Sequence, residues 1–308
     1  MDSIQNAKTI KIRKPKKKWQ LLLMALPFLL FVVLFNYVPL MGWIYAFFNY
    51  RPGIALTASP FVGLKYFIMF LTDRYDMANV MKNTIIFALL GYLVSPLPMV
   101  FAIMLNEVRS PKYKKLVQTV STMPHFVSWV IVYSLAFTLF SSDGVLNDAL
   151  KALGLAGKTN ILADAKSVYW FQMALGQWKG LGWSSIIYLA AIAGIDQELY
   201  EAASIDGAGR MRRIMHITVP SLMPTFVVLL ILSIGNFVNV GLEQYMVFKN
   251  NVTAANIEVL DLYVYRIGLT NNDYSYGVAI GIMKSVVSIV LLFIANILSK
   301  RVRGESIF

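Results

Sequence analysis

The sequence contains no cysteine and only two histidines, His125 and His216, in 308 residues. The missing cysteines exclude a disulfide framework, a thiol nucleophile and a Cys-based zinc site. The two histidines lie far apart in the sequence and make a poor metal-binding constellation. Charged residues are also scarce, at 14%, whereas a soluble domain carries about 25%. The chain therefore has too little polar surface to cover a water-soluble globule.

Hydrophobic residues make up 57% of the sequence, which excludes intrinsic disorder for most of the chain. A membrane-spanning helix needs about 20 largely apolar residues. Runs of this kind predict an all-α integral membrane protein with six transmembrane helices, at about 21–40, 83–105, 116–140, 169–192, 222–242 and 277–298. Four prolines within or at the ends of these runs are expected to kink the helices, namely Pro27, Pro96, Pro98 and Pro124.

The net charge of +12 is distributed unevenly along the chain. Lys and Arg concentrate in residues 1–18, in the loops after spans two and four, and at the C-terminus. Such residues are enriched in cytoplasmic loops, so both termini are predicted to be cytoplasmic. Membrane topology and contact with anionic lipid account for the excess positive charge, so a nucleic-acid partner is not needed to explain it. The prediction is a basic tail over 1–18, one membrane domain over 19–308, and outside connections that pack as loops at 41–82, 141–168 and 243–276.

The loop between spans four and five, about 194–220, carries the strongest local pattern. Residues 198–206 are acidic and rich in helix formers, Gly207 and Gly209 allow a sharp turn, and residues 210–216 are basic. The pattern predicts two short helices joined by a break. The first helix has a small-residue face at Ala202 and Ala203, which favours docking into a protein groove over lipid because it offers no deep apolar anchor.

This loop resembles the EAA loop of permease subunits from type I ABC importers, whose signature is E-A-A-x3-G-x9-I-x-L-P. The one departure is Val219 in place of the usual Leu. The extension over 205–208 resembles the carbohydrate branch, and residues 60–67, 105–107 and 124–129 resemble its maltose and polysaccharide, lipoprotein-transport-like, subgroup. The residues that fall in register with the signature are Glu201, Ala202, Ala203, Gly207, Ile217 and Pro220.

The resemblance implies a plasma-membrane permease for oligosaccharides in a bacterium. Its implied partners are a second homologous permease, two ATPase subunits that bind ATP and Mg²⁺, and an extracellular substrate-binding lipoprotein. The chain itself would bind no cofactor and perform no chemistry. The EAA helix would dock in a cleft of the ATPase, with Glu201 as docking acid and Gly207 as hinge. The coupling residues are then Glu201, Ala202, Ala203, Asp206, Gly207 and Arg212.

One short sequence imitates a nucleotide-binding motif. Gly157-Lys158-Thr159 looks like the end of a phosphate-binding loop. The required earlier glycine would fall at position 152, which is Ala152. The segment is also predicted to lie outside the cell, away from ATP, so we expect no ATP binding by this chain.

Polar residues within the spans indicate where a sugar could pass, because such groups usually face a cavity or a partner. Hydroxyl and amide groups suit sugar hydroxyls, since each both donates and accepts hydrogen bonds. In span five, Ser233, Asn236, Val240 and Glu243 recur at helical spacing and predict one stripe. The resemblance implies that the sugar site of the maltose-type relatives lies on this same span. The predicted path comprises Trp178, Lys179, Gly180, Trp183, Ser233, Asn236, Phe237, Asn239 and Glu243.

Other interpretations of these residues stay open. The span-five hydroxyl and amides could instead bond neighbouring helices, and the two tryptophans could anchor the helix at the membrane interface. Lys284 in span six is expected to meet an acid or carbonyl across the interface with the second permease.

Two alternative functions also stay open. An ion-gradient-driven secondary sugar transporter predicts ionisable pairs at mid-membrane and no docking loop. Only Lys179 and Lys284 suit it, with no acidic residue deep in a predicted span. An ABC importer of a non-sugar solute is the second alternative, against which the aromatic and amide lining speaks.

Overall fold

The computed structural model describes residues 18–72, 76–154 and 160–303. Within these ranges the chain is helical, with one isolated antiparallel bridge between Phe48 and Phe61. The predicted basic tail, except for Lys18, and the segment 157–159 lie outside the described residues. The α-helices are α1 Lys18–Val32, α2 Lys65–Thr72, α3 Asp76–Val94, α4 Leu97–Asn106, α5 Pro111–Thr122, α6 Trp129–Phe140, α7 Val145–Ala152, α8 Val168–Ala193, α9 Gln197–Ile205, α10 Arg210–Arg213, α11 Val219–Gly235, α12 Glu243–Phe248, α13 Ala254–Ile257, α14 Leu260–Tyr265 and α15 Tyr274–Arg303.

Among the described residues, five helical stretches are long and apolar enough to cross a membrane, and they correspond to predicted spans one, two, three, five and six. The predicted fourth span is α8, whose 26 residues reach about 39 Å at 1.5 Å per residue. It is more polar than the other five because it carries Gln, Lys, Ser and Gly residues. It packs against α3, α4, α5 and α11, so protein surrounds much of it. The five stretches are Leu21–Phe47, Asp76–Asn106, Trp129–Ala152, Arg210–Gly235 and Tyr274–Ile297.

Three of the four prolines named above lie at breaks between helices. Pro96 and Pro98 lie where α3 gives way to α4, as expected. Pro124 lies in a 3₁₀ turn, Met123–Phe126, that divides the predicted third span into α5 and α6. Pro124 therefore lies at a full break in the predicted third span, where a kink was expected. Pro27 lies inside α1, where the α-helix continues through it.

The segment between α11 and α15 is not a surface loop. Its helices α12 and α14 contribute Tyr245, Leu262 and other buried residues to a core shared with α3, α6 and α8. Asn83 of α3 is wholly buried and donates to the carbonyls of Ala255 and Glu258, at 2.8 and 3.0 Å. These bonds help to satisfy the backbone oxygens of this segment, as buried carbonyl groups require. The loop predicted at 243–276 thus forms part of the helical bundle.

A glycine sets the close approach of α5 and α8. A Cβ atom added at Gly182 would lie 2.2 Å from the carbonyl oxygen of Ser121, so only glycine fits. The backbones therefore touch at this point. The contact holds α8 against α5, the helix that leads into the 3₁₀ turn at Pro124.

Candidate coupling hairpin and translocation cavity

The loop between α8 and α11 folds into a helical hairpin of α9 and α10. The side chain of Asp196 caps α9 by accepting from the Glu198 amide at 3.0 Å. At its other end, Gly207 adopts φ +74°. The amides of Gly207 and Ala208 return to the carbonyls of Ser204 and Ala203, at 3.1 and 2.8 Å. This is a complete Schellman motif, for which glycine is the favoured residue, and it gives Gly207 the role of a helix cap.

Three side-chain contacts hold this coupling hairpin in place. The hydroxyl groups of Tyr200 and the buried Thr218 lie 2.8 Å apart and join α9 to the start of α11. Arg213 donates to the Ser204 hydroxyl at 2.8 Å. Arg210 forms an ion pair with Glu107, which directly follows α4. The hairpin is therefore tied to two membrane-crossing stretches rather than suspended between them.

The outer surface of α9 presents both charge and apolar area. Glu201, Ala202 and Asp206 are exposed and Ala203 is half-buried. Ile205, the last residue of α9, is 87% exposed. The sequence-based inference that this helix has no deep apolar anchor is wrong, because Ile205 projects beyond the two alanines. Arg212 is exposed as well, whereas its neighbours Arg210 and Arg213 contact the chain itself.

A cavity of about 330 Å³ lies among α3, α8, the end of α11 and α12. Five carboxamides line it, together with the hydroxyl of Ser233 and the rings of Tyr92 and Phe237. The two rings are stacked, with centroids 5.9 Å apart. The amide cavity, as we call it, thus combines donors and acceptors with flat apolar faces. Its carboxamides belong to Gln172, Gln177, Asn236, Asn239 and Gln244.

The chain leaves helical geometry where the predicted stripe should continue. Helix α11 ends at Gly235, and Gly241 has φ +103°. The Asn236 amide nitrogen donates to the Leu232 carbonyl at 3.2 Å, and that of Asn239 donates to the Asn236 side chain at 3.3 Å. Such local bonds compete with helix formation. The predicted helical stripe through Glu243 is therefore wrong. The link 236–242 nevertheless brings Asn236, Phe237 and Asn239 to one cavity.

A second cavity, of about 590 Å³ and here called the inner cavity, adjoins the amide cavity. The two share Ser95, Gly176, Gln177 and Ser233. Of the predicted path residues, Gly180 and Trp183 line this inner cavity. The Trp183 ring stacks on His125, with centroids 4.5 Å apart.

Three predicted path residues line neither of these two cavities. Trp178 is 45% exposed, and Glu243 is exposed at the start of α12. The Lys179 ammonium donates to the His125 carbonyl at 2.6 Å and lies over the Trp129 ring. Lys179 therefore stabilises the break before α6.

Sequence reasoning missed four polar side chains of the amide cavity. Gln172 and Gln177 lie inside a predicted span, so the rule that selected Asn236 also applied to them. Gln172 is 2% exposed and accepts from Gln244 at 2.8 Å. Tyr92 donates to the Ser233 carbonyl at 3.1 Å. Tyr92 lies inside the predicted second span and Gln244 directly follows Glu243, so the same rule could have selected both.

Lys284 does not need a partner across an interface. It forms an ion pair with Asp261 of α14 within the same chain. Both side chains are largely buried, with 15% and 17% exposed. No predicted span contains a deep acidic residue, and the acid that pairs with Lys284 comes instead from the segment 243–276, which was predicted to be an outside loop.

Comparison with known proteins decides the family. Residues 94–304 match the family model described as "Binding-protein-dependent transport system inner membrane component". The chain belongs to this family. It is thus a multi-pass membrane component of an ABC transport system and not an enzyme, and the family excludes an ion-driven secondary transporter.

Two relatives come from Bacillus subtilis (strain 168). Protein LplB is 42% identical over 95% of this chain and 92% of its own length. The polygalacturonan/rhamnogalacturonan transport system permease protein YteP is 39% identical over 99% of this chain and 94% of its own length. The similarity therefore covers nearly the whole chain, including the segment before the family match.

A solved structure extends the comparison to the fold. It is the crystal structure of a bacterial ABC transporter involved in the import of the acidic polysaccharide alginate. It matches with a TM-score of 0.84 and 35% identity, over 94% of this chain and 97% of that chain. A second structure of the alginate transporter, in complex with a periplasmic protein that holds an alginate pentasaccharide, matches with the same TM-score and 34% identity, over 95% and 98% of the two chains.

Proposed function

We propose that this chain is a permease subunit of an ATP-driven importer of oligosaccharides in a bacterial plasma membrane. It supplies half of the translocation path and one coupling hairpin, and both of its termini are cytoplasmic. The polysaccharide transport roles of YteP and of the alginate transporter support an oligosaccharide as cargo. The complex of that transporter with a loaded periplasmic protein supports delivery by an external binding protein.

The observation that carries the proposal is the amide cavity. Carboxamides and hydroxyls present donors and acceptors together, as sugar hydroxyls require. The stacked Tyr92 and Phe237 rings offer flat apolar surface to the carbon face of a pyranose. The inner cavity shares four lining residues with the amide cavity, so the two cavities adjoin, and a sugar that leaves one would pass the Gln177 and Ser233 side chains that line both.

The partner set follows from the coupling hairpin. A second homologous permease completes the path, and two ATPase subunits bind ATP and Mg²⁺ below the membrane. The hairpin docks in a cleft of one ATPase, with Glu201 as the docking acid and Ile205 as an apolar anchor. Arg212 lies free to meet acidic groups at the rim of that contact.

Closure of the ATPase dimer moves the hairpin, and the hairpin moves the bundle. The coupling hairpin continues directly into α11, and Arg210 ties it to the end of α4 through Glu107. Helix α11 ends at the link that carries Asn236 and Asn239. ATP binding to the closed dimer thus shifts the population between inward- and outward-facing arrangements of the cavity wall.

The test is purification of the tagged chain from its own host in gentle detergent, with mass spectrometry of the proteins that accompany it. We expect a second multi-span permease and an ATPase, followed by ATP-dependent import of oligosaccharide when the complex and its binding protein are reconstituted. A chain that emerges alone, under conditions that preserve other transporter complexes, contradicts the proposal.

A further inference from the structure

The ion pair between Lys284 and Asp261 lies within the membrane-crossing part of the bundle. Lys284 is ten residues into α15, about 15 Å from its outer end at Tyr274. Charged side chains at such depth are costly, and they usually serve a path or a partner site. One carboxylate oxygen of Asp261 contacts the Lys284 ammonium, and the other accepts from the Gly241 amide at 3.1 Å.

The pair forms one wall of a cavity of about 400 Å³, here called the ion-pair cavity. Its other polar lining comes from Asn239, Ser285 and Ser288. The Ser288 hydroxyl is buried and has no hydrogen-bond partner in the part of the chain that the structure describes. An unpaired buried hydroxyl costs free energy, so this cavity contains an unused polar group in addition to a buried charge pair.

The ion-pair cavity is connected to the predicted sugar route through Asn239. This residue lines both the ion-pair cavity and the amide cavity. It lies in the link 236–242, which Asp261 holds through the Gly241 amide. Three cavities therefore follow one another from α15 through the amide cavity to the inner cavity beside Trp183.

We propose that the ion-pair cavity is a second sugar-contacting site, in which Lys284 and Asp261 bind hydroxyl groups of the oligosaccharide as it enters or leaves the amide cavity. The inference rests on the proposed function, because it assumes that a sugar moves through the amide cavity.

The chemistry of the pair fits hydroxyl groups. An ammonium only donates and a carboxylate only accepts, so together they satisfy both sides of a hydroxyl. Hydrogen bonds to charged groups are the stronger ones, and the pair carries no net charge. Lys284 is a compact donor on a flexible stem, which allows it to follow a moving ligand while Asp261 stays fixed by the Gly241 amide.

The test uses single cysteines, since the natural chain has none. Removing one member of the pair would leave an unpaired buried charge and destabilise the bundle, so the pair is left intact. Ser285→Cys reports the ion-pair cavity, Ser233→Cys reports the amide cavity, and Asn251→Cys, in an exposed turn, is the control. Labelling by a small membrane-impermeant methanethiosulfonate is measured in proteoliposomes during ATP-driven import, with the binding protein either empty or loaded with oligosaccharide.

We expect loaded binding protein to slow labelling at positions 285 and 233 by about threefold, which corresponds to two-thirds occupancy, and to leave position 251 unchanged. Slower labelling at 233 with unchanged labelling at 285 overturns the inference and leaves the proposed function standing. Unchanged labelling at both positions contradicts the sugar path itself. A thiol at 285 that the reagent never reaches overturns the inference as well. Ser288→Cys repeats the measurement if the 285 variant does not assemble.

Discussion

Replacing Ile205 with alanine should weaken the attachment of the ATPase to the coupling hairpin. Ile205 is 87% exposed at the end of α9, so nearly all of its side chain is available for burial in a docking cleft. The substitution removes three carbon groups, each worth about 0.8 kcal/mol on burial, so the loss is about 2 kcal/mol after allowance for incomplete burial. That corresponds to roughly a 30-fold rise in the dissociation constant.

The substitution is chosen because it leaves the hairpin itself intact. Alanine is the best helix former, and the cap at Gly207 uses backbone atoms only. The assay titrates purified ATPase onto the permease pair in detergent and follows both binding and cargo-stimulated ATP hydrolysis. Leu153→Ala is the matched control, because Leu153 is 73% exposed but follows α7, on the predicted outer side of the membrane.

We expect the half-saturating ATPase concentration to rise for Ile205→Ala and to stay unchanged for Leu153→Ala. Full ATP hydrolysis should return at high ATPase concentration, since the defect is one of affinity. If both variants bind like the parent, the anchoring role of Ile205 is refuted, and docking must depend on the charged and small residues of α9 alone.

Three further substitutions test the hairpin, the amide cavity and the packing. Glu201→Lys should abolish uptake while membrane insertion stays normal; ordinary uptake would contradict its role as docking acid. Asn236→Leu should lower sugar import more than basal ATP hydrolysis by the complex, whereas an equal loss of both would indicate a structural role. Gly182→Ala should destabilise the solubilised complex by about 1–3 kcal/mol, because the new Cβ atom meets the Ser121 carbonyl. Gly91→Ala, in open space on α3, is its control in a thermal unfolding assay and should leave the melting temperature unchanged or higher.

Sequence reasoning predicted the coupling hairpin well because its signals are local. An N-terminal cap at Asp196, helix formers up to Ile205 and a glycine at the left-handed position determine α9 within a dozen residues. The exposure of Ile205 is not a local property. Whether an isoleucine faces solvent depends on how the hairpin turns against α4 and α11, and that orientation depends on Arg210 and Tyr200 reaching distant partners.

The predicted sugar path was harder to locate from sequence because several of its residues lie where helix α11 has ended. The link 236–242 looks like the end of an apolar span, yet Asn236 and Asn239 bond locally and leave helical geometry. Asp261 looks like a loop residue until its segment folds against α3 and α15. The first departure comes from local side-chain hydrogen bonds and the second from contacts between distant parts of the chain, and hydrophobic periodicity detects neither.

Two departures from the usual span pattern are related. Helix α8 is too polar to face lipid, and the segment 243–276 is too apolar to lie in water. Helix α8 carries Gln172 and Gln177, which protein rather than lipid must surround. The segment 243–276 supplies part of that surrounding, since Gln244 donates to the Gln172 side chain and Tyr245 lies in the same core. A purely apolar α8 would need no such cover, and a hydrophilic outer loop could not provide it. Both departures therefore occur at the amide cavity, where an importer needs a polar route through an apolar bundle.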